Sequence, residues 1–267
     1  MSNKIGIGVI TCNRPNFFKE LIDSIPEVDS IIVINDGKPY DNSIYPSKVG
    51  QIIQHKKNKK IGKSKNEALK FLLEKECKHI FLLEDDIAIL NQEIFEKYIY
   101  ASEVSGIWHL NYAYHILNNR DSDGRPIPKK IVEYDKLRIA LYKYATAALT
   151  YFRNDVLNTV GLIDEFYWNV HEHVDHTYRI IKAGYHPPFG WFADLADSFN
   201  YIKELDLHQT QSINTRNGIS FKLRALFFEY YFMLKFGKTP AKIPESSEEE
   251  VLKILEEFKK NRSSIRR

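Results

Sequence analysis

The chain has only two cysteines among its 267 residues, Cys12 and Cys77. Two cysteines so far apart supply neither a disulfide framework nor a zinc knuckle, so we expect neither kind of cross-link. Net charge is also small, at +3, with 38 basic and 35 acidic residues mixed along the chain. This balance argues against a nucleic-acid-binding protein.

Long apolar runs are missing as well. No stretch reaches the roughly 18 to 20 apolar residues that a membrane-spanning helix needs, and the most apolar one, 223–237, contains Glu229. The first residues, MSNKIGIGVITCN, lack the apolar segment of a signal peptide. We therefore expect a cytoplasmic protein that is soluble or lies on the inner face of a membrane.

What is present is a globular composition, 43% hydrophobic and 13% aromatic, which is sufficient for a sizeable core. The β-rich runs KIGIGVIT, SIIVINDG, GQIIQH and HIFLLEDD alternate with helical stripes along the first 90 residues. This alternation predicts an α/β fold with a mostly parallel, doubly wound sheet. The turn-rich segment 118–130 is either a mobile flap or a hairpin connection.

The C-terminal part differs in pattern from the rest of the chain. Two amphipathic helices are predicted around GKTPAKIP, and Ser247 and Glu250 have the spacing of a capping box at the start of the second. We expect one domain at 1–218 and a helical extension at 219–267. The apolar and basic residues of the extension allow packing on the domain, a homodimer or peripheral membrane contact, and packing is the favoured interpretation.

Polar residues follow three of the predicted strands. Asn13 and Arg14 come after the first, Asp36 after the second, and the acidic run EDD, 84–86, ends the fourth. Ligands of parallel sheets bind beyond the carboxyl ends of the strands, so these residues should surround one crevice. Crowded carboxylates suit a hard divalent cation, and Arg14, Lys63 and Lys65 suit phosphate oxygens. A solvated acidic corner and a solvated basic loop remain the alternatives.

A second polar cluster, NVHEHVDHTYR at 169–179, is rich in histidine. A zinc protease motif, H-E-x-x-H, needs two histidines four residues apart on one helix face. Asp175 stands where the second histidine should be, and His176 lies about 140° round a helix from His171. The motif therefore argues against a zincin and favours acid/base chemistry or a polar helix start without catalytic function.

The segments IGVITCNRP, IIVINDG, NKKIGKSKNEAL, FLLEDD and VGLIDEFYWNVHEHVDHTYRIIKAGY together resemble the GT-A nucleotide-sugar glycosyltransferases, particularly the family containing bacterial polysaccharide, cellulose and chitin transferases. The resemblance covers about Lys4 to Gly184. It implies a GT-A fold and Mn²⁺ or Mg²⁺ as cofactor. It also implies transfer of a hexosyl or N-acetylhexosaminyl group from a nucleoside-diphosphate sugar, with UDP favoured, to a glycan or lipid-linked acceptor, with inversion.

The resemblance also implies roles for individual residues. The implied donor-binding residues are Thr11, Asn13, Arg14, Asp36, Lys63, Asn66, Glu84 and Asp85. Asp86, the last acid of the D-x-D-like motif, is implied to be the direct metal ligand, and His208 a further metal or diphosphate ligand. This sequence departs from the family in starting the motif with Glu84.

The general base is implied to lie in the segment 172–175. Inverting relatives have an aspartate at the position of His173, and a neutral imidazole can also accept the acceptor's proton. His173, Glu172 and Asp175 therefore remain alternatives for this role. Arg179 is expected to pair with Asp175, one helical turn earlier.

Two other functions are compatible with the sequence. A catalytically silent sugar-nucleotide-binding module would account for the missing aspartate at His173, although Asp86 argues against it. A sugar-nucleotide pyrophosphorylase uses a similar sheet but has a glycine-rich G-x-G-T-R-type loop after the first strand. This chain has TCNRP there, so the pyrophosphorylase is the weaker alternative.

Overall fold

A computed structural model describes residues 3–168, 170–206 and 218–265. The strands are β1 (Ile5–Thr11), β2 (Ser30–Asn35), β3 (Gln51–Gln54), β4 (His79–Glu84), β5 (Ile87–Ile89), β6 (His109–Asn111), β7 (Lys130–Tyr134), β8 (Leu137–Tyr142), β9 (Leu149–Arg153), β10 (Phe192–Leu195) and β11 (Ile202–Glu204). The α-helices are α1 (Pro15–Ser24), α2 (Ile61–Glu74), α3 (Glu93–Ser105), α4 (Asn154–Val160), α5 (Glu172–Lys182), α6 (Gly218–Phe236) and α7 (Glu248–Ile265).

The central sheet has six strands in the order β3-β2-β1-β4-β9-β6. β1 is parallel to β2 and β4, and β2 is parallel to β3. β9 is antiparallel to both of its neighbours, β4 and β6. The predicted α/β class with a mostly parallel sheet is confirmed, and β9 is the strand that departs from parallel order.

Alternate side chains of the parallel strands enter two separate cores, one on each face of the sheet. Ile7 of β1 belongs to the core that contains Phe18 of α1 and Phe95 of α3. Ile32 of β2 belongs to the core that contains Leu69 of α2. Because both faces are covered by helices, the strands have the continuous apolar runs seen in the sequence.

Gly8 allows α2 to pack closely on β1. A Cβ atom at this position would lie 2.9 Å from the Cβ of Ala68 on α2 and 2.9 Å from a methyl group of Leu82 on β4. These distances are shorter than van der Waals contact, so a larger residue would push the helix away from the sheet. Glycine at this position thus allows the second turn of α2 to lie close to the middle of β1.

The turn-rich segment 118–130 is a hairpin connection, one of the two alternatives that the sequence left open. The Ile127 N–H donates to the Asn119 carbonyl at 2.9 Å, and the Asp121 N–H donates to the Arg125 carbonyl at 2.9 Å. The segment leads into the β7–β8 hairpin, which forms a three-stranded antiparallel sheet with β10.

A short ribbon, β5–β11, continues directly from the acidic run. Ile87 of β5 is paired with Glu204 of β11, and the Asp86 carbonyl accepts a hydrogen bond from the Leu205 N–H at 2.8 Å. The sequence did not predict either strand. The ribbon matters because it brings Glu204 next to the end of β4.

Both C-terminal helices pack on the preceding chain, as the sequence favoured. α7 buries Val251 in the same core as α1 and α3, and α6 packs Phe228 against Tyr167. The capping box is confirmed, since the Ser247 N–H donates to Glu250 at 2.8 Å and the Glu250 N–H donates to the Ser247 hydroxyl at 3.2 Å. The domain boundary between 218 and 219 stays a prediction.

None of the helices in the described parts of the chain is long and apolar enough to cross a membrane.

Candidate active site

The carboxyl ends of β1, β2 and β4 meet at one edge of the sheet, as the parallel arrangement predicted. Thr11 is in register with Asn35, and Ile10 with Glu84. The Thr11 hydroxyl donates to the Asp85 carboxylate at 2.5 Å. The loop after β1 and the acidic run after β4 are therefore in direct contact.

Asp85 is buried, and the loop after β1 occupies its carboxylate. Besides Thr11, the Cys12 N–H donates to it at 3.4 Å and the Arg14 guanidinium forms an ion pair with it. Burial raises the pKa of Asp85 to about 6, although Arg14 acts in the opposite direction. These contacts make Asp85 an anchor for the loop, and the predicted contact with the donor stays a prediction.

Asp86 carries a buried carboxylate oxygen that no described residue satisfies. Its Oδ1 has no hydrogen-bond partner, whereas its Oδ2 lies 3.7 Å from Arg14 Nη1 and 3.8 Å from His115 Nε2. An unsatisfied buried acceptor costs about 1 to 3 kcal/mol, which a bound cation would offset. Mg²⁺ and related ions commonly use one or two protein carboxylates together with substrate phosphates and water. Asp86 thus fits the predicted role of metal ligand.

No group of three or more His, Cys, Asp or Glu side chains in the described ranges is arranged to hold a metal ion. A cation at Asp86 would therefore need ligand oxygens from the substrate or from water. His208, the second predicted ligand, lies outside the described residues.

His115 and Glu204 lie beside Asp86, and the sequence did not identify either. His115 Nδ1 is 2.7 Å from the Glu204 carboxylate, which also accepts a hydrogen bond from Arg120 at 2.8 Å. Burial lowers the pKa of His115, but the carboxylates of Asp86 and Glu204 outweigh it and raise this pKa to about 9. Nothing in the sequence marks a single histidine in a turn, because its partners arrive from β4 and β11.

Lys65 joins the acidic run to the start of α5. Its ammonium group is buried, 2.7 Å from Glu84 Oε1 and 3.3 Å from Glu172 Oε1. Burial would lower the pKa of Lys65, but the two carboxylates raise it above its ordinary value. The sequence suggested Lys65 only as a phosphate contact, whereas the structure assigns its charge to two acids from distant parts of the chain.

The two other predicted residues of α2 contact the turn that precedes α5. Lys63 is partly exposed, with its ammonium group 3.4 Å from Glu165. Asn66 is buried, and its amide donates to the Ile163 carbonyl at 2.8 Å and to Glu165 at 3.0 Å. Asn66 therefore supports this turn with both of its N–H groups, and the donor-binding roles of Lys63 and Asn66 stay predictions.

The two acids at the start of α5 are both buried and paired. The ammonium of Lys65 and the imidazole of His173 hold the pKa of Glu172 well below its usual range, against the effect of burial. Asp175 accepts a hydrogen bond from Arg179 at 2.8 Å and is 2.6 Å from the ammonium group of Lys235 on α6. The predicted pairing of Asp175 with Arg179 is confirmed. Glu172 is therefore a weaker proton acceptor than an ordinary carboxylate, and Asp175 is engaged by two cations.

His173 is more accessible than its two neighbours. Its side chain is 29% exposed, compared with 5% for Glu172 and 0% for Asp175. Its Nδ1 lies 3.4 Å from Glu172 Oε1. A carboxylate at one ring nitrogen fixes the orientation of an imidazole and leaves the other nitrogen for the substrate.

Asp36 organises the loop between β3 and α2. Its carboxylate accepts hydrogen bonds from the Lys59 N–H at 2.6 Å and the Lys60 N–H at 3.0 Å, and it lies 2.6 Å from His55 Nδ1. His55 in turn is 2.5 Å from Glu67. The predicted acceptance of a base or ribose hydrogen bond by Asp36 stays a prediction.

A pocket of about 610 Å³ opens at this edge of the sheet, between the loops that follow β1, β2 and β3. It contains the predicted donor-binding residues Asn13 and Asp36. Its cationic lining residues are Lys38, Lys56, Lys57, Lys60 and Arg224. Arg224 belongs to α6 and was not identified from the sequence.

No protein-family model matches the sequence, and no curated protein sequence matches it significantly. Among solved structures, the chain is similar to TarS of S. aureus, at 18% identity and a TM-score of 0.48, over 66% of this chain and 33% of that one. It is similar to S. aureus TarS 1-349 in complex with UDP, at 17% identity and a TM-score of 0.48, over 67% of this chain and 55% of that one.

It is also similar to the mannosyltransferase PcManGT from Pyrobaculum calidifontis in complex with GDP-Man and Mn²⁺, at 10% identity and a TM-score of 0.48, over 71% of this chain and 53% of that one. The match to this chain spans between one third and just over half of the length of these proteins. The likeness is one of fold alone, so the activity has to be inferred from the side chains of this chain.

Proposed function

We propose that the protein is a metal-dependent glycosyltransferase that moves a sugar from a nucleoside-diphosphate donor to a hydroxyl group of a glycan or lipid-linked acceptor, with inversion. The observation that carries this proposal is the buried Oδ1 of Asp86, which has no hydrogen-bond partner among the described residues. It lies at the carboxyl end of β4, at the same sheet edge as a lysine-lined pocket. The carboxylate can bind a cation, and the cationic pocket is large enough for a nucleotide. Together they suit the binding of a nucleoside diphosphate.

The pocket is the proposed site of the nucleotide part of the donor. Asn13 and Asp36 line it together with Lys38, whose N–H is held by the Asn13 side chain at 2.8 Å. The resemblance to GT-A glycosyltransferases favours uridine as the base. A hexosyl or N-acetylhexosaminyl group would then extend toward the end of β4.

Asp86 would hold Mn²⁺ or Mg²⁺, and His208 is proposed as a further ligand. A divalent cation bound there would offset the negative charge that develops on the departing diphosphate. Arg14 lies beside Asp86 and would contribute positive charge to the same region. Lys65 remains engaged with Glu84 and Glu172 and maintains the distance between the two sides of the site.

His173 is the proposed general base. Glu172 would orient its imidazole through Nδ1, and Nε2 would accept the proton of the acceptor hydroxyl as that oxygen attacks the anomeric carbon. Attack from the face opposite the diphosphate inverts the configuration. Glu172 and Asp175 are the alternative bases, but both are buried and paired with cations.

The experiment that tests this function measures release of nucleoside diphosphate from a panel of UDP- and GDP-sugars, with Mn²⁺, with Mg²⁺ and with EDTA. Asp86→Ala should lower release by roughly 100- to 1000-fold, because a main source of charge stabilisation is lost. Asp23→Ala is the matched control, since Asp23 is an exposed acid of α1 paired with Lys19.

Failure of the wild-type protein to bind or hydrolyse any donor in Mn²⁺ would contradict the proposal. Binding of a donor without release, in the presence of a range of glycan and lipid-linked acceptors, would favour the silent binding module instead.

The outer face of α6, defined by Leu223, Leu226, Phe227, Tyr230 and Leu234, is the proposed contact with a membrane that carries lipid-linked acceptors. Each of these side chains is between 53% and 65% exposed. Sedimentation with anionic liposomes should be lost when Leu226 and Leu234 are changed to Glu. If light scattering shows a dimer that the same changes dissociate, the face is a homodimer contact instead.

A further inference from the structure

The guanidinium group of Arg224 has two nitrogen donors that no described residue accepts. Its Nε and Nη2 atoms are buried, and neither has a hydrogen-bond partner among the described residues. A buried charged donor without an acceptor costs more than a neutral one, because its hydration is lost and nothing replaces it. A site that tolerates this cost in the free protein is suited to an anionic ligand.

The position of Arg224 is determined by how α6 is anchored. Lys235 of α6 lies 2.8 Å from Asp164 and 2.6 Å from Asp175, and Phe228 is buried against Tyr167. Arg224 is one helical turn before Phe228 and three turns before Lys235, so all three lie on the same face of the helix. The contacts that hold α6 on the domain therefore point Arg224 inward.

The surroundings of Arg224 carry an excess of positive charge. The pocket that it lines also contains Lys38, Lys56, Lys57 and Lys60. Among the described lining residues, Asp36 alone is acidic, and its carboxylate is already engaged by two backbone N–H groups and His55. No described lining residue offers Arg224 a free carboxylate, and a planar guanidinium pairs well with phosphate oxygens.

We propose that Arg224 binds a phosphate group of the nucleotide in this pocket, so that α6 completes the donor site. The inference rests on the proposed function, because it takes the nucleoside diphosphate as the ligand. It assigns the C-terminal extension a part in donor recognition, in addition to packing. The donor would in turn stabilise the position of α6, since it supplies an acceptor that Nε and Nη2 lack among the described residues.

The test compares the affinities of UDP, GDP, UMP, uridine and inorganic pyrophosphate by titration calorimetry for wild-type protein and Arg224→Gln. Loss of one charge-assisted contact should weaken binding of the wild type's preferred nucleoside diphosphate roughly 10- to 100-fold, with little change for uridine. The affinity of Arg224→Lys for this nucleoside diphosphate should lie between those of the wild type and Arg224→Gln. Lys222→Gln is the matched control, because it removes an exposed positive charge from the same helix outside the pocket.

The melting temperature of the free protein separates binding from a structural role. Because Nε and Nη2 of Arg224 have no partner among the described residues, Arg224→Gln should leave this temperature unchanged or raise it, while the stabilisation by UDP or GDP decreases. Equal affinities of wild type and variant for every ligand would overturn the inference. A loss of affinity for uridine as large as the loss for the nucleoside diphosphate, together with a lower melting temperature, would also overturn it.

The proposed function can fail separately. If the wild type binds pyrophosphate through Arg224 but binds no nucleotide, the glycosyltransferase proposal fails while Arg224 remains a phosphate contact. If the wild type binds and cleaves a sugar nucleotide and Arg224→Gln does so equally well, only the inference about Arg224 fails.

Discussion

The acidic run at 84–86 and the start of α5 at 172–175 are two polar clusters linked by Lys65, and their acids are neutralised in similar ways. In the first, Glu84 is paired with Lys65 and Asp85 with Arg14, while an oxygen of Asp86 has no partner among the described residues. In the second, both acids are paired with cations, while His173 is partly exposed.

The clusters differ in the group that remains available to bind a ligand. A carboxylate oxygen in a buried position suits a cation, whereas a partly exposed imidazole suits a proton. The comparison indicates that the paired acids mainly hold the site together and that Asp86 and His173 are available to ligands.

The largest expected effect follows from breaking the link between the clusters. Lys65→Met would leave Glu84 and Glu172 without their shared cation, and should destabilise the protein by about 3 to 5 kcal/mol, as loss of one partner of a buried ion pair does. Chemical denaturation measures this value. Lys63→Met is the control, since Lys63 is partly exposed. Its replacement should lower the free energy of unfolding by under about 1 kcal/mol. Equal effects of the two changes would show that Lys65 is not a buried link.

Asp194 provides the contrast of a buried acid held by neutral donors. It accepts hydrogen bonds from the Tyr98 and Ser198 hydroxyls and the Ala113 and Leu195 N–H groups, and burial raises its pKa to about 7. The folded state therefore binds the proton more tightly than the unfolded state. This contribution to stability is complete below pH 3.8 and is lost as the pH rises to 7.

The resulting loss of stability is on the order of 4 kcal/mol across that interval. It is measured as the difference between the pH dependence of unfolding for wild type and for Asp194→Asn, in which this group does not titrate. Parallel curves for the two proteins would mean that Asp194 binds its proton no more tightly in the folded state than in the unfolded state.

A smaller effect is expected at His173. His173→Ala should lower sugar transfer roughly 100-fold if the imidazole is the base. Donor affinity and melting temperature should stay close to those of the wild type, because the side chain is partly exposed. Single-turnover transfer and calorimetric donor binding measure the two quantities. Unchanged transfer would move the role of base to Glu172 or Asp175.

The smallest effect concerns the outer edge of the second cluster. Lys235→Met removes one of the two cations at Asp175 but leaves Arg179 in place. It should lower the free energy of unfolding by about 1 to 2 kcal/mol, since Lys235 is partly exposed. Lys253→Met on the exposed face of α7 serves as the control. A change no larger than that of the control would show that α6 is held mainly by its aromatic contacts.

The sequence by itself determined the elements and the edge where they converge. Apolar runs such as SIIVINDG and HIFLLEDD predicted buried parallel strands, and parallel order alone placed Asp36 and 84–86 at the same edge. Local spacing was also sufficient for the Asp175–Arg179 pair and for the Ser247–Glu250 capping box. Each of these features depends on residues that are close in the chain or on a rule of topology.

Only the tertiary structure decided which charges are neutralised and which remain available. Lys65 lies between Glu84 and Glu172, His115 between Asp86 and Glu204, and Arg224 reaches the pocket from α6. Such pairings join residues that crossovers and short ribbons bring together, and neither periodicity nor spacing encodes them. Burial then determines how much free energy an unpaired charge costs. This cost distinguishes Asp86 and Arg224 from the many other acids and bases of the chain.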